Sequence, residues 1–114
     1  MTGELSFFEL GTGDVERARA FYTELFGWEF EPYNKGGRIS TPTVPGGIHP
    51  GDAGASPYVF FAVDDLDVAL ARVRELGGSG DVLDDDPQSA AEFGRFALCK
   101  DDQGSAFGLH QRPA

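Results

Sequence analysis

The 114-residue sequence predicts an α+β fold built from two related halves, and three observations predict it. The stretch from Ser6 to Trp28, SFFELGTGDVERARAFYTELFGW, reads as a strand running directly into an amphipathic helix. A fainter copy, PYVFFAVDDLDVALARVRELGGS from Pro57 to Ser79, returns at a constant offset of 51 residues, pairing Phe7 with Tyr58, Asp14 with Asp65, Ala18 with Ala69 and Leu25 with Leu76. Recurrence of long similar segments at a fixed period is the mark of an internal duplication. Towards the C-terminus, two apolar runs joined by Asp101-Asp102-Gln103-Gly104 read as a closing strand pair.

Each element has a local reason. Leu5 to Leu10 is an apolar run ended by Gly11-Thr12-Gly13, and Asp14 stands where a helix needs an N-cap. Val15, Ala18, Phe21, Tyr22 and Leu25 recur at helical spacing and predict one buried stripe on a helix over 15–26, with Gly27 as its left-handed stop. Trp28 to Tyr33 and Arg38 to Val44 predict strands, the second confined to an edge or bulge by Pro42. Pro45 to Gly51 is turn-rich, and Asp52 to Ser56 reads as a linker. The second half predicts a strand over 58–63, a cap at Asp64 or Asp65, and a helix over 66–76 with the stripe Leu66, Ala69, Leu70, Val73 and Leu76. A short strand over 81–85, a loop over 87–92 and strands over 93–100 and 105–111 complete it. Halves of about 50 residues bury too little surface to stand alone, so a single domain over 1–114 is expected, with modules at roughly 5–51 and 57–111.

Composition excludes several classes. Nineteen acidic against nine basic residues give a formal charge of −10, which argues against a nucleic-acid partner, since that needs clustered Lys and Arg. The same charge favours a cationic ligand. A single cysteine forbids an internal disulfide and fits a reducing compartment. No apolar run suits a signal peptide or a membrane span, so a cytoplasmic protein without a membrane partner is expected.

Strand alternation sorts side chains between faces. With Asp101 to Gly104 as a four-residue loop, Cys99 falls opposite Ala106, Ala97 opposite Gly108 and Arg95 opposite His110, leaving Phe96, Leu98, Phe107 and Leu109 for the helices. The same arithmetic puts Phe8, Leu10, Val59, Phe61 and Val63 against the helices. Phe7, Glu9, Tyr58 and Phe60 are left facing an aromatic-walled hollow with one carboxylate.

A repeated strand–helix module carrying Phe21-Tyr22 and Leu25-Phe26-Gly27-Trp28, with a closing GRFALxxDxxGxxFGL pattern over Gly94 to Leu109, resembles the glyoxalase, bleomycin-resistance and extradiol (ring-cleaving) dioxygenase group, the vicinal oxygen chelate superfamily. That resemblance implies two tandem βαβββ modules forming a curved mixed sheet around a concave pocket, commonly as a homodimer. It also implies four metal-ligand positions, which fall by alignment on Phe7, Tyr58, Gly108 and a residue near Gly46 to Ile48. Phe and Gly side chains cannot coordinate a cation and a neutral Tyr does so poorly, so no metal and no other cofactor is expected.

The candidate residues each carry two readings. Glu9 is expected to bind a ligand or act as a base, against solvation or pairing with Arg95 or Arg38. His110 is a proton-transfer candidate or a half-exposed surface histidine. His49 either folds over the pocket or belongs to a mobile loop, and a metal pair of His49 with His110 has no spacing motif behind it. Cys99 is a nucleophile or a buried inert thiol, and Arg95 an anion anchor or a structural ion pair. Phe7, Tyr58 and Phe60 stack on a flat ligand or simply pack, and Gly108 leaves room for one. Asp84-Asp85-Asp86 reads as a solvated turn rather than a cation site. The expected function is metal-free binding of a small aromatic or cationic molecule. The alternative is a lyase, isomerase or dioxygenase with a non-standard site built on Glu9, His110 or His49.

Overall fold

The computed structural model describes residues 3–83 and 86–114, so Asp84 and Asp85 of the acidic run lie outside the described residues. The chain divides into two compact units: Phe7–Tyr58, and Val59–Ala114 together with the N-terminal residues up to Ser6. None of the described helices is long and apolar enough to cross a membrane.

In the first unit, β1 (Leu5–Gly11, whose first two residues belong to the second unit) leads into α1 (Val15–Phe26), then β2 (Glu29–Tyr33), β3 (Gly36–Ser40) and β4 (Gly46–His49). The Asp14 carboxylate accepts the Arg17 N–H at 3.1 Å, and Gly27 closes the helix at φ 75°, both at the predicted positions. The strand order is β2-β3-β4-β1, with β4 parallel to β1 and the other pairs antiparallel. Leu10, Ile39 and Ile48 form the core, covered by Phe8, Val15, Ala18, Tyr22, Trp28 and Phe30.

Three expectations change here. Phe21 and Leu25 are not in a buried stripe but 61% and 58% exposed, because the row that meets the strands is Val15-Ala18-Tyr22 and they lie to one side of it. The strand expected to reach Val44 ends at Ser40, where Thr41 Oγ1 donates to the Val44 carbonyl at 2.7 Å and turns the chain. The turn-rich 45–51 segment contains a buried strand, and the reason is its paired glycines. A Cβ on Gly46 would strike the Phe8 ring on one face, and one on Gly47 would strike the Glu9 carboxylate on the other. Only glycine lets β4 lie beside β1 with bulky groups crossing it on both sides.

The second unit runs β5 (Tyr58–Ala62, whose first residue belongs to the first unit), α2 (Leu66–Glu75), β6 (Ser79–Leu83), α3 (Pro87–Phe93), β7 (Arg95–Lys100) and β8 (Ala106–Gln111). Its order is β5-β8-β7-β6, with β5 parallel to β8. Asp65 caps α2 through the Val68 N–H at 3.1 Å. Leu66, Leu70, Ala97, Cys99 and Leu109 make the core.

The expected 87–92 loop is α3 instead, started by the Asp86 cap and Pro87 in the first turn. Of the strand expected over 81–85, residues 81–83 belong to β6, which starts at Ser79, and residues 84 and 85 lie outside the described residues. The hairpin also differs. Asp101 N–H donates to the Ser105 carbonyl at 2.9 Å, and the Asp101 carboxylate accepts the Gln103 and Ser105 N–H groups, so Ser105 joins the loop. The register becomes Cys99↔Phe107, Ala97↔Leu109, Arg95↔Gln111, Leu98↔Gly108 and Phe96↔His110. One residue of slip exchanges the faces of β7: Ala97 and Cys99 pack under α2, while Phe96 and Leu98 join Gly108 and His110 on the helix-free face.

Candidate functional site

On the helix-free face of the first unit, register sets Glu9 of β1 opposite Gly47 of β4, and Phe7 and His49 lie on the same side. His49 is not on a mobile loop. It ends β4, and its ring is held between two carboxylates: Nδ1 meets Glu9 Oε2 at 2.6 Å and Nε2 meets Asp52 Oδ2 at 2.8 Å. With both carboxylates ionised, both partners are acceptors, so both ring nitrogens donate and the ring is an imidazolium. The Tyr58 hydroxyl donates to the same Asp52 oxygen at 2.9 Å. Glu9 therefore pairs with His49, in place of the Arg95 or Arg38 considered from sequence.

The electrostatics follow from these contacts. Burial pushes the Glu9 carboxyl above its ordinary range, against the opposing pull of His49. Burial alone would lower His49, but its bonds to Glu9 and Asp52 and their charges outweigh that, and the net shift is upward. The His49 and Tyr58 hydrogen bonds hold Asp52 low, and the Asp52 bond holds the Tyr58 hydroxyl high. Two carboxylates against one imidazolium leave the cluster net negative. Asp52, assigned to a linker from sequence, is the residue that reading missed. Its spacing of three from His49 was the available signal.

His110 is neither half-exposed nor at an open mouth. It is 3% exposed, and its Nε2–H donates to the Phe93 carbonyl at 2.8 Å while Nδ1 accepts from the Ser6 hydroxyl at 2.9 Å. The ring stacks on Phe96 with centroids 4.4 Å apart. Burial lowers its basicity, with Arg112 adding to the effect and the Phe93 bond opposing it. His110 is thus a neutral, fully engaged ring with no lone pair for proton transfer.

The remaining candidates divide by unit. Phe7 joins Glu9 and His49, and Tyr58 joins them through Asp52. In the second unit Phe60 lies on the helix-free face, paired with Gly108 and edge-on to Phe96 at 5.1 Å. Arg95 is not on that face; its guanidinium pairs with both oxygens of Asp67 on α2 at 3.2 Å. Cys99 is 4% exposed within the core, and burial raises its thiol, which leaves it a poor nucleophile. Asp86 accepts the Ser89 N–H at 3.3 Å and serves as a cap. The second unit also holds a cleft of about 320 Å³ lined by Ala62, Val63, Asp64, Gln111, Arg112 and Ala114, none of them a sequence candidate.

The metal-ligand positions that the resemblance implies hold Phe7, Tyr58, Gly108 and, in β4, Gly47, which faces Glu9 as Gly108 faces Phe60. These residues do not fit a divalent cation. Phe7 has no donor atom, and the Tyr58 hydroxyl is engaged by Asp52. The space a side chain would need at Gly47 and Gly108 is filled by the Glu9 carboxylate and the Phe60 ring.

Residues 5–37 match the family described as Bleomycin resistance protein-like N-terminal. A glyoxylase-like domain-containing protein of Didymella fabae is 30% identical over 97% of this chain and 95% of its own length. The anthracycline biosynthesis protein DnrV of Streptomyces peucetius is 28% identical over 96% of this chain, which spans only 47% of that protein. In fold, the chain is similar to methylmalonyl-CoA epimerase from Mycobacterium tuberculosis, with a TM-score of 0.65 at 18% identity, covering 97% of this chain and 88% of that one. With its two strand–helix–strand units and this similarity over nearly its whole length, the chain belongs to the glyoxalase-like, bleomycin-resistance-like proteins of the vicinal oxygen chelate superfamily and has their mixed α+β fold.

Proposed function

We propose that this protein binds a small aromatic cation without a metal ion, on the helix-free face of the Phe7–Tyr58 unit. The observation that carries the reading is the net-negative Glu9–His49–Asp52 cluster, set beside the buried Phe7 ring where the superfamily's ligand positions offer no donor set. His49 occupies Glu9 Oε2, and Oε1 takes no hydrogen bond among the described residues. A charged N–H donor on a flat ligand fits that oxygen, while stacking on the partly exposed Tyr58 ring and the acidic charge of −10 add attraction. Similarity to a protein named for anthracycline biosynthesis supports a polycyclic ligand. A homodimer completes the reading, supported by a relative of about twice this length, with a cytoplasmic location, supported by the single cysteine.

Calorimetric titration with 9-aminoacridine, a planar cation, and with neutral anthracene carboxamide tests it. The cation binds the wild type, and Glu9→Gln weakens the cation while sparing the neutral ring. No binding by the wild type, or equal effects of the substitution on both ligands, overturns the reading. So does a stoichiometric divalent metal in protein purified without chelator.

The raised Glu9 carboxyl favours a second reading, an enzyme in which Glu9 is the general base. In that case Glu9→Gln abolishes turnover while ligand affinity holds.

A further inference from the structure

The loop between β4 and β5 is tied to the end of β1 by two backbone bonds: Thr12 N–H donates to the His49 carbonyl and Asp52 N–H to the Thr12 carbonyl, each at 3.0 Å. This brings the Asp52 side chain over Gly11. A Cβ on Gly11 would lie 2.7 Å from Asp52 Cγ and 2.8 Å from its Cβ, closer than atoms pack, so glycine at this strand end is what admits the carboxylate. Once there, a single oxygen, Oδ2, accepts both the His49 Nε2–H and the Tyr58 hydroxyl. The Tyr58 ring centroid lies 6.0 Å from that of the His49 ring.

An imidazole has two nitrogens on opposite edges, so fixing Nε2 fixes the direction of Nδ1. We infer that Asp52, seated on Gly11 and steadied by Tyr58, is the positioning residue of the site: it holds the His49 ring so that Nδ1 takes Glu9 Oε2 and leaves Oε1 to the ligand. Asp52 acts through His49 and need not touch the ligand. The inference rests on the proposed function only for what Oε1 binds, since the ring's orientation is a property of the unliganded protein.

Nitrogen-15 NMR of the histidine rings at about pH 6, below the ordinary imidazole value, reads the positioning directly, and 9-aminoacridine titration reads its consequence. In the wild type, both His49 ring N–H groups give slowly exchanging signals. Asp52→Asn loses that double signature and weakens 9-aminoacridine about tenfold, the low end of what loss of an orienting partner costs a metal ligand. Gly11→Ala keeps the carboxylate in the chain but drives it off its seat, and reproduces both changes. Tyr58→Phe removes only the hydroxyl and moves both readouts the same way by less. Methyl signals of Ile39 and Ile48 report that the core is intact in each variant. If Asp52→Asn and Gly11→Ala leave both ring N–H signals unchanged, or change them without weakening the ligand, the inference is overturned. If the ring responds as described but the wild type binds no aromatic cation, the positioning stands and the ligand reading falls.

Discussion

Substituting Gly108 by Ala tests whether the position aligned with a metal ligand is truly filled. The added Cβ would meet the Phe60 ring, coming within 2.7 Å of Cε2 and 2.8 Å of Cγ. Phe60 is 3% exposed and edge-on to Phe96, which is stacked on His110, so the ring has no vacant direction in which to swing. Overpacking of this kind costs about 1–3 kcal/mol, or a melting-point drop of roughly 4 °C per kcal/mol for a chain of this size. Truncating the ring by Phe60→Ala costs about 3–5 kcal/mol alone. In the double variant the new methyl group enters the space the ring leaves, so the Gly108→Ala cost vanishes or reverses, with a coupling of about 0.5–3 kcal/mol. Urea unfolding of the four proteins, followed by circular dichroism, measures the cycle. A Gly108→Ala cost that is the same with or without the Phe60 ring refutes the reasoning, because the volume would then not be the ring's.

The two histidines should titrate on opposite sides of 6.5, His49 above and His110 below, in a proton NMR titration. For His49 the folded value is raised, so its stabilisation is full below pH 6.5 and is lost as pH climbs through the folded value. For His110 the folded value is depressed, so its contribution is present above pH 6.5 and is lost as pH falls through the folded value. His49→Gln should accordingly flatten the decline in stability on the alkaline side, and titration in the reverse order would contradict the hydrogen-bond assignments. Cys99, buried with a raised thiol, should react with a disulfide reagent only as fast as the protein opens. Modification at the rate of a solvent-exposed thiol would contradict its place under α2.

Much of the fold was legible because it rests on local chemistry. Asp14 and Asp65 as caps, Gly27 as the stop of the first helix, and the alternation that sends Phe8 and Leu10 one way and Phe7 and Glu9 the other depend on neighbours a few residues away. The strand that went unseen is decided by distant residues. Nothing between Pro45 and Gly51 signals a strand; Gly46 and Gly47 become one because of what Phe8 and Glu9 need on either side. In the hairpin, Asp101 recruits Ser105 into the loop, and that single residue carried Arg95 and Cys99 from the expected site to the helix side.

From sequence alone came the family, the paired strand–helix halves, the unsuitability of Phe7, Tyr58 and Gly108 as metal ligands, and Glu9 as the acidic group on the helix-free face. The tertiary structure alone decided what Glu9 meets: a histidine and an aspartate from a segment that reads as turn and linker, brought to β1 by a parallel pairing some forty positions along the chain. Caps and alternation are written in consecutive residues. A hydrogen-bond chain across parallel strands depends on which strands meet and in what register, and that is set by the packing of the whole unit.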